Sequence, residues 1–374
     1  MKYSRLIRLA VSLAIFVLAL EGLARLDDFV TYGAPFFGKY SEESMYTLDA
    51  IGKRGKPHAR FRKWEFNSLG YRSPELDPAK IRIVSIGGSE TFGLYESKGE
   101  EYPRQLEREL NQNAGRDEFQ VINVANPGES IWTAIQRVPE IARTIQPAAA
   151  VIYPTPAFYI YPPSRENGLS VPASRSSSFE WRLSERIWEF TKQVLPDPLQ
   201  NKLREWQIAR ALRGKIAVDK LPEENVERYR SDVRAIALML RGYGIEPILV
   251  THASEFGPVL TKRDLYLLTT WRRFYPKLKE QGFLDMEDRM NRAVRSVGQE
   301  ERIPVVEAER LIPREPRFFG DYTHFSDEGA HLMAIYIARQ LEPMLPRRQT
   351  ASLPAPVVTK HAVLTPAQSV DLPR

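Results

Sequence analysis

Three side chains in this sequence have the types and spacing for nucleophilic chemistry. Ser89 follows Gly87-Gly88 within Ile-Arg-Ile-Val-Ser-Ile-Gly-Gly-Ser-Glu-Thr-Phe-Gly, residues 81–93. Far along the chain, Asp321 and His324 stand three residues apart in Asp-Tyr-Thr-His-Phe-Ser-Asp-Glu-Gly, residues 321–329. A serine hydroxyl is a poor nucleophile at neutral pH and needs a base beside it. In a loop, an aspartate three residues before a histidine can turn toward the imidazole and hold its tautomer. The other ring nitrogen is then free to take the serine's proton. Each block also has a plain structural reading. Gly87-Gly88 serves as a tight turn, and 321–329 as a capping loop through Ser326 or Asp327. The glycines do not fall into the G-x-G-x-x-G pattern of a dinucleotide site. A metal set built from Asp321, His324, Asp327 and His331 lacks a third strong nitrogen or sulfur ligand, so neither metal nor cofactor is expected.

Ser89, then Asn126-Pro127-Gly128, then Asp-x-x-His come in an order and spacing that resembles the SGNH (GDSL-like) hydrolase family. The likeness is nearest to exported bacterial members whose first block reads Gly-Gly-Ser-x-Thr-x-Gly, and it covers roughly residues 66–342. The resemblance implies acyl transfer with Ser89 as nucleophile, His324 as base and Asp321 orienting it. Among the five histidines, only His324 has a carboxylate at the family spacing. An oxyanion would be held by the backbone N–H groups of Ser89 and Gly128. The family's third donor, an asparagine after the third strand, has no match, since the chain reads Tyr153-Pro154-Thr155-Pro156-Ala157 there. Losing one such donor can cost roughly 10²–10³ in rate. Thr155 and His252 are the candidates to replace it or to touch substrate. The first block departs too, with Gly88 where aspartate is commonest and Glu90 in place of leucine. Exported family members often remove or transfer acetyl groups on cell-surface polysaccharide. The expected substrate is therefore an acylated small molecule or polysaccharide, and the expected activity an esterase or acyltransferase. The alternative is a catalytically inactive SGNH fold that binds glycan or a partner protein.

The elements that must bring these blocks together read as an α/β alternation. Apolar β-branched runs predict buried parallel strands over 81–86, 119–125, 148–153, 247–251 and 303–306. Amphipathic stretches predict helices over 101–113, 131–145, 223–241, 284–297 and 329–341. Together they predict a three-layer α/β/α sandwich with a five-stranded parallel sheet, flavodoxin-like in the manner of the SGNH hydrolases. Serine at the carboxyl end of the first strand falls where open sheets bind ligands. Insertions at about 153–221 and 252–279 leave the same edge and should overhang it. Their aromatics, Trp181, Trp188, Trp206, Trp271, Phe274 and Tyr275, suit helix cores, with stacking on sugar rings as the functional alternative.

The domain so outlined occupies residues 66–345 of the 374. Ahead of it, Lys2, Arg5 and Arg8 precede the apolar run 9–20, the pattern of an export signal with its amino end in the cytoplasm. Residues 1–25 are expected to be a retained anchor or a signal peptide cleaved after Ala24, leaving the domain periplasmic or extracellular. A buried helix of the domain fits the basic flank least. Residues 26–65 read as a linker, whose run Lys53, Arg54, Lys56, Arg60, Arg62 and Lys63 forms a solvated face or one drawn to membrane or acidic glycan. Asn67-Ser68-Leu69-Gly70-Tyr71-Arg72 is a turn into the domain, with Arg72 expected beside an acid. Residues 346–374 lack apolar period and read as a disordered tail. A net charge of +6 favours anionic neighbours without demanding nucleic acid. The absence of cysteine excludes disulfides, thiolate zinc sites and thiol catalysis.

Overall fold

A computed structural model describes residues 2–161, 181–213, 217–257, 259–272 and 274–346. The chain opens with a long helix, α1 (Lys2–Tyr32), whose apolar residues from Leu6 to Leu18 are exposed along its first half. It is long and apolar enough to cross a membrane. Four short strands follow: β1 (Tyr46–Leu48), β2 (Lys53–Gly55), β3 (Arg60–Phe61) and β4 (Trp64–Glu65), paired antiparallel as two hairpins. Residues 26–65 thus hold folded hairpins where a linker was expected. Met45, Tyr46, Phe61 and Phe66 bury a small aromatic core against Phe92 and Ala125 of the domain. Nor is the basic run simply solvated. Arg54 pairs with Glu140 at 2.5 Å and with Asp49 at 3.0 Å, and Lys53 Nζ donates to the Pro127 carbonyl at 3.2 Å.

The domain itself alternates strand and helix. β5 (Ile81–Gly87) leads through the single turn α2 (Ser89–Phe92) to α3 (Tyr102–Ala114). Then come β6 (Phe119–Asn123), α4 (Ile131–Thr144) and β7 (Ala149–Tyr153). After β7 the chain inserts α5 (Arg182–Val194) and α6 (Asp197–Ala211) before α7 (Glu223–Gly242) and β8 (Glu246–Val250). The remaining elements are α8 (Lys262–Arg272), α9 (Glu280–Glu301), β9 (Val305–Val306), α10 (Ala308–Leu311) and α11 (Asp327–Leu341).

Five strands form one parallel sheet in the order β6-β5-β7-β8-β9. Alternate side chains of each strand point to opposite faces, and both faces are covered. Val84, Ile86, Ile122 and Ile152 pack beneath α4, α7 and α9. Ile83, Val121, Val151 and Ile248 pack beneath α3 and α11. The result is a three-layer α/β/α sandwich. Its strand order reverses between β5 and β7, and an open parallel sheet forms its ligand crevice outside the carboxyl ends at such a point. The expected tail, past residue 346, and Trp188's side chain lie outside the described residues.

Candidate active site

β5 ends in Gly87-Gly88 because no side chain fits there. A Cβ on Gly87 would sit 2.1 Å from Thr91 Oγ1, and one on Gly88 2.6 Å from Thr155 Oγ1. The chain turns at once into α2, which starts with Ser89 and stops at Gly93, a residue in the left-handed region (φ 88°). Ser89 therefore stands at the carboxyl edge of the sheet, at the crevice. As the first helical residue its N–H has no acceptor within the turn.

The second block arrives from the other end of the domain. Phe319 and Phe325 form an antiparallel bridge, and Gly320 N–H donates to the His324 carbonyl at 2.8 Å, closing 320–325 into a tight loop. Asp321 Oδ1 accepts from the backbone N–H of Thr323 and of His324, both at 2.9 Å. Its other oxygen lies 2.9 Å from His324 Nδ1, and His324 Nε2 lies 2.8 Å from Ser89 Oγ. The structure thus brings Ser89, His324 and Asp321 into one hydrogen-bonded chain. Burial would keep Asp321 neutral, but the His324 hydrogen bond and charge with two backbone donors hold it below its ordinary range. An ionised Asp321 accepts only, so Nδ1 carries the proton and Nε2 is left to accept from the serine. The capping reading holds alongside, since Ser326 Oγ accepts from Gly329 N–H at 3.2 Å and begins α11.

Gly128 lies in the loop after β6, which leaves the same edge of the sheet as Ser89. Its φ of 85° needs glycine, and a Cβ there would meet only Lys53 Nζ, at 3.9 Å. Nearby, Asn126 Nδ2 donates to the buried carboxylate of Glu129 at 3.0 Å.

Thr155 and His252 do not take the places expected of them. Both are buried, and both are committed to Glu90, the residue after the serine. Thr155 Oγ1 donates to Glu90 Oε2 at 2.7 Å. His252 stacks on Tyr153 with ring centroids 5.4 Å apart. Its Nδ1 lies 2.8 Å from Glu287, and its Nε2 3.1 Å from Thr323 Oγ1 and 3.4 Å from Glu90. With both nitrogens occupied and the ring enclosed, His252 is a tie between loops and not a surface for substrate. Burial opposes its charge, but Glu287 and Glu90 outweigh that and raise its pKa to about 10. The same pairing holds Glu90 down at about 2 against burial. A buried imidazolium thus sits between two carboxylates, one of them 3.4 Å from Ser89 Oγ.

Sequence reasoning missed this cluster. Its only signal was a charged residue at position 90 inside an otherwise apolar and small-residue block. Glu96 was missed as well. It is fully buried, and burial lifts its carboxyl to about 7 against the attraction of Arg72 and His324. Tyr95 lies over His324 with centroids 5.5 Å apart and is half exposed at the rim. Asp327 and His331 turn away toward α3: Asp327 accepts from Ser97 N–H at 2.6 Å, and His331 lies 3.8 Å from Glu109. Among the described residues no group of three His, Asp or Glu side chains gathers as a metal site.

No family model matches this sequence, and no curated protein matches it. Solved structures match it in fold. A lipase/acylhydrolase from Enterococcus faecalis is 16% identical, with a TM-score of 0.43 over 72% of this chain and 99% of that one. A GDSL-like lipase from Bacteroides thetaiotaomicron is 14% identical, with a TM-score of 0.40 over 71% and 89%. An acetyl xylan esterase from Geobacillus stearothermophilus is 13% identical, with a TM-score of 0.42 over 72% and 97%. These likenesses concern the fold; the chemistry rests on the residues above.

Proposed function

We propose that this chain is an SGNH-type serine esterase or acyltransferase, exported and held at a membrane by α1, acting on ester groups such as the acetyl groups of cell-surface polysaccharide. The observation that carries the chemistry is the chain Ser89–His324–Asp321, joined at 2.8 and 2.9 Å. His324 removes the hydroxyl proton as Ser89 Oγ attacks the ester carbonyl, and Asp321 stabilises the imidazolium that forms. The N–H groups of Ser89 and Gly128 are the proposed oxyanion donors. His324 then protonates the departing alcohol, leaving an acyl-enzyme. Water resolves it in an esterase, a sugar hydroxyl in a transferase. The export and polysaccharide parts rest on the basic flank of α1 and on the likeness of the first block to exported SGNH proteins.

A second reading has its own observation. Thr155, in the segment where the family carries its third donor, is spent on Glu90, and a carboxylate stands beside the nucleophile. Both features suit a fold that binds acylated glycan without turning it over. A fluorophosphonate probe separates the two. The enzyme is modified at Ser89 and hydrolyses p-nitrophenyl acetate, and Ser89→Ala and His324→Ala abolish both. Wild-type protein that resists the probe, or variants that keep full esterase activity, would end the catalytic reading.

A further inference from the structure

The far half of α1 is two-faced. Glu21, Ala24, Arg25 and Asp28 are buried on one side, while Leu23, Leu26 and Val30 are exposed on the other. What covers the polar side is α5. The Glu21 carboxylate accepts from the first two N–H groups of α5, Arg182 at 3.2 Å and Leu183 at 2.8 Å. Glu21 also pairs with Arg25 at 2.7 Å, and Asp28 with Arg186 at 2.7 Å and Arg182 at 3.4 Å. The charges of this stretch that face α5 are matched between the two helices.

Apolar side chains dominate the described outer surface of the pair, which the ion pair of Asp27 with Arg186 interrupts. Leu183 lines a groove of about 560 Å³ together with Leu23, Leu26 and Val30 of α1. From Leu183 the stripe runs on along α5 through Ile187, Phe190 and Val194, all three exposed. Their spacing puts them on one helical face. On α1 the apolar outer face reaches from Leu6 to Val30, about 37 Å of helix. That exceeds the hydrocarbon core of a bilayer, about 30 Å. The contacts with α5, from Glu21 to Asp28, lie toward the outer end of that length.

We propose that α5 and the far half of α1, beside which it docks, form a platform where α1 leaves the outer leaflet of the membrane, with the stripe Ile187, Phe190 and Val194 buried in phospholipid at the boundary of headgroups and acyl chains. The platform rests on the reading of α1 as a membrane helix. It gives the insertion after β7 a role: to fix the domain, and the edge carrying Ser89, against the membrane in place of a free tether.

The chain has no cysteine, so a single introduced thiol reports alone. Full-length protein carrying Phe190→Cys or Val194→Cys is labelled with NBD and reconstituted into phosphatidylcholine–phosphatidylglycerol vesicles. Leu13→Cys in α1 and Tyr243→Cys at the end of α7 serve as references. The expected result is quenching at 190 and 194 by doxyl-labelled lipid, within about twofold of that at 13, with shielding from iodide that the label at 243 lacks. If 190 and 194 match 243 while 13 stays lipid-quenched, the platform is wrong and the anchor stands. If 13 is also open to iodide, the anchor reading falls and the platform with it. Labels shielded from both quenchers, with energy transfer between copies, would mean that a second chain covers the face and would overturn the proposal.

Discussion

In the proposed mechanism, a carboxylate beside the nucleophile changes the working range of the base. Burial disfavours the His324 imidazolium, but the Asp321 bond and charge, then the charges of Glu90 and Glu96, outweigh it and raise its pKa. Tyr95 is the other titratable group against the ring. His324 must be neutral to accept the Ser89 proton, so every anion that raises its pKa pushes the acid limb of kcat/KM upward. Glu90→Gln removes one such anion. His252 then keeps Glu287 as its remaining carboxylate partner. The acid limb is expected to move to lower pH by up to about one unit. A pH–rate profile measures it, and an acid limb that stays or rises means Glu90 has no electrostatic hold on the base. Asp321→Asn tests the other side of the ring. An amide offers Nδ1 no anion to stabilise the imidazolium, and kcat is expected to fall by about 10³–10⁴ with the protein still folded.

At the scale of elements, Arg72 fixes the turn that presents Ser89. Its Nη1 donates to the carbonyls of Phe92 and Gly93, both at 2.5 Å, and its Nη2 pairs with buried Glu101 at 2.9 Å. The guanidinium also lies over the Phe92 ring, 5.1 Å from its centroid. One side chain thus ties the end of α2 to the residue that precedes α3. Arg72→Ala strands a buried carboxylate and two carbonyls, so it is expected to cost about 3–5 kcal/mol in urea unfolding and to lower kcat. Arg72→Lys should recover only part, because a point charge cannot serve all three acceptors in a plane. A loss below about 1 kcal/mol would show the turn to be self-supporting. The sequence announced an acid partner for Arg72 but not which one. It announced the five strands and their helices to within a few residues, because β-branched runs and amphipathic periods are local signals. The hairpins over 46–65 were hidden, since strands of two and three residues are too short to carry a period. The cluster around Glu90 was hidden for another reason. Its members come from α2, the ends of β7 and β8, α9 and the 320–325 loop, and only the fold makes them neighbours.

At the scale of the whole molecule, buried ionisable groups set opposing slopes of stability against pH. Asp49, Glu90 and Asp321 have carboxyls held below their ordinary range in the fold, against burial, by Arg137 and Arg54, by His252, and by His324 respectively. Their contribution is complete above the unfolded range near 4 and is lost as pH falls toward the folded values. Glu96 and Glu129 act the other way, because burial raises each from 4.5 to about 7. Between those values the unfolded chain loses a proton that the fold retains, so stability falls as pH rises, by up to about 3 kcal/mol for each group. His252 adds to the decline. Its stabilisation is whole below 6.5 and drains away as pH rises toward about 10. The melting temperature is therefore expected to peak near pH 5 and to fall steadily into the alkaline range. Glu129→Gln isolates one contribution. Its amide oxygen keeps the bond from Asn126, and Arg137, whose Nε stands 3.6 Å from Glu129, retains Asp49 and the Lys53 carbonyl. The variant should melt higher than wild type at pH 8 and alike at pH 4, as followed by thermal denaturation in detergent micelles. An equal shift at both pH values would mean that packing governs the site, and that the carboxyl at 129 ionises in the fold over the same range as in the unfolded chain.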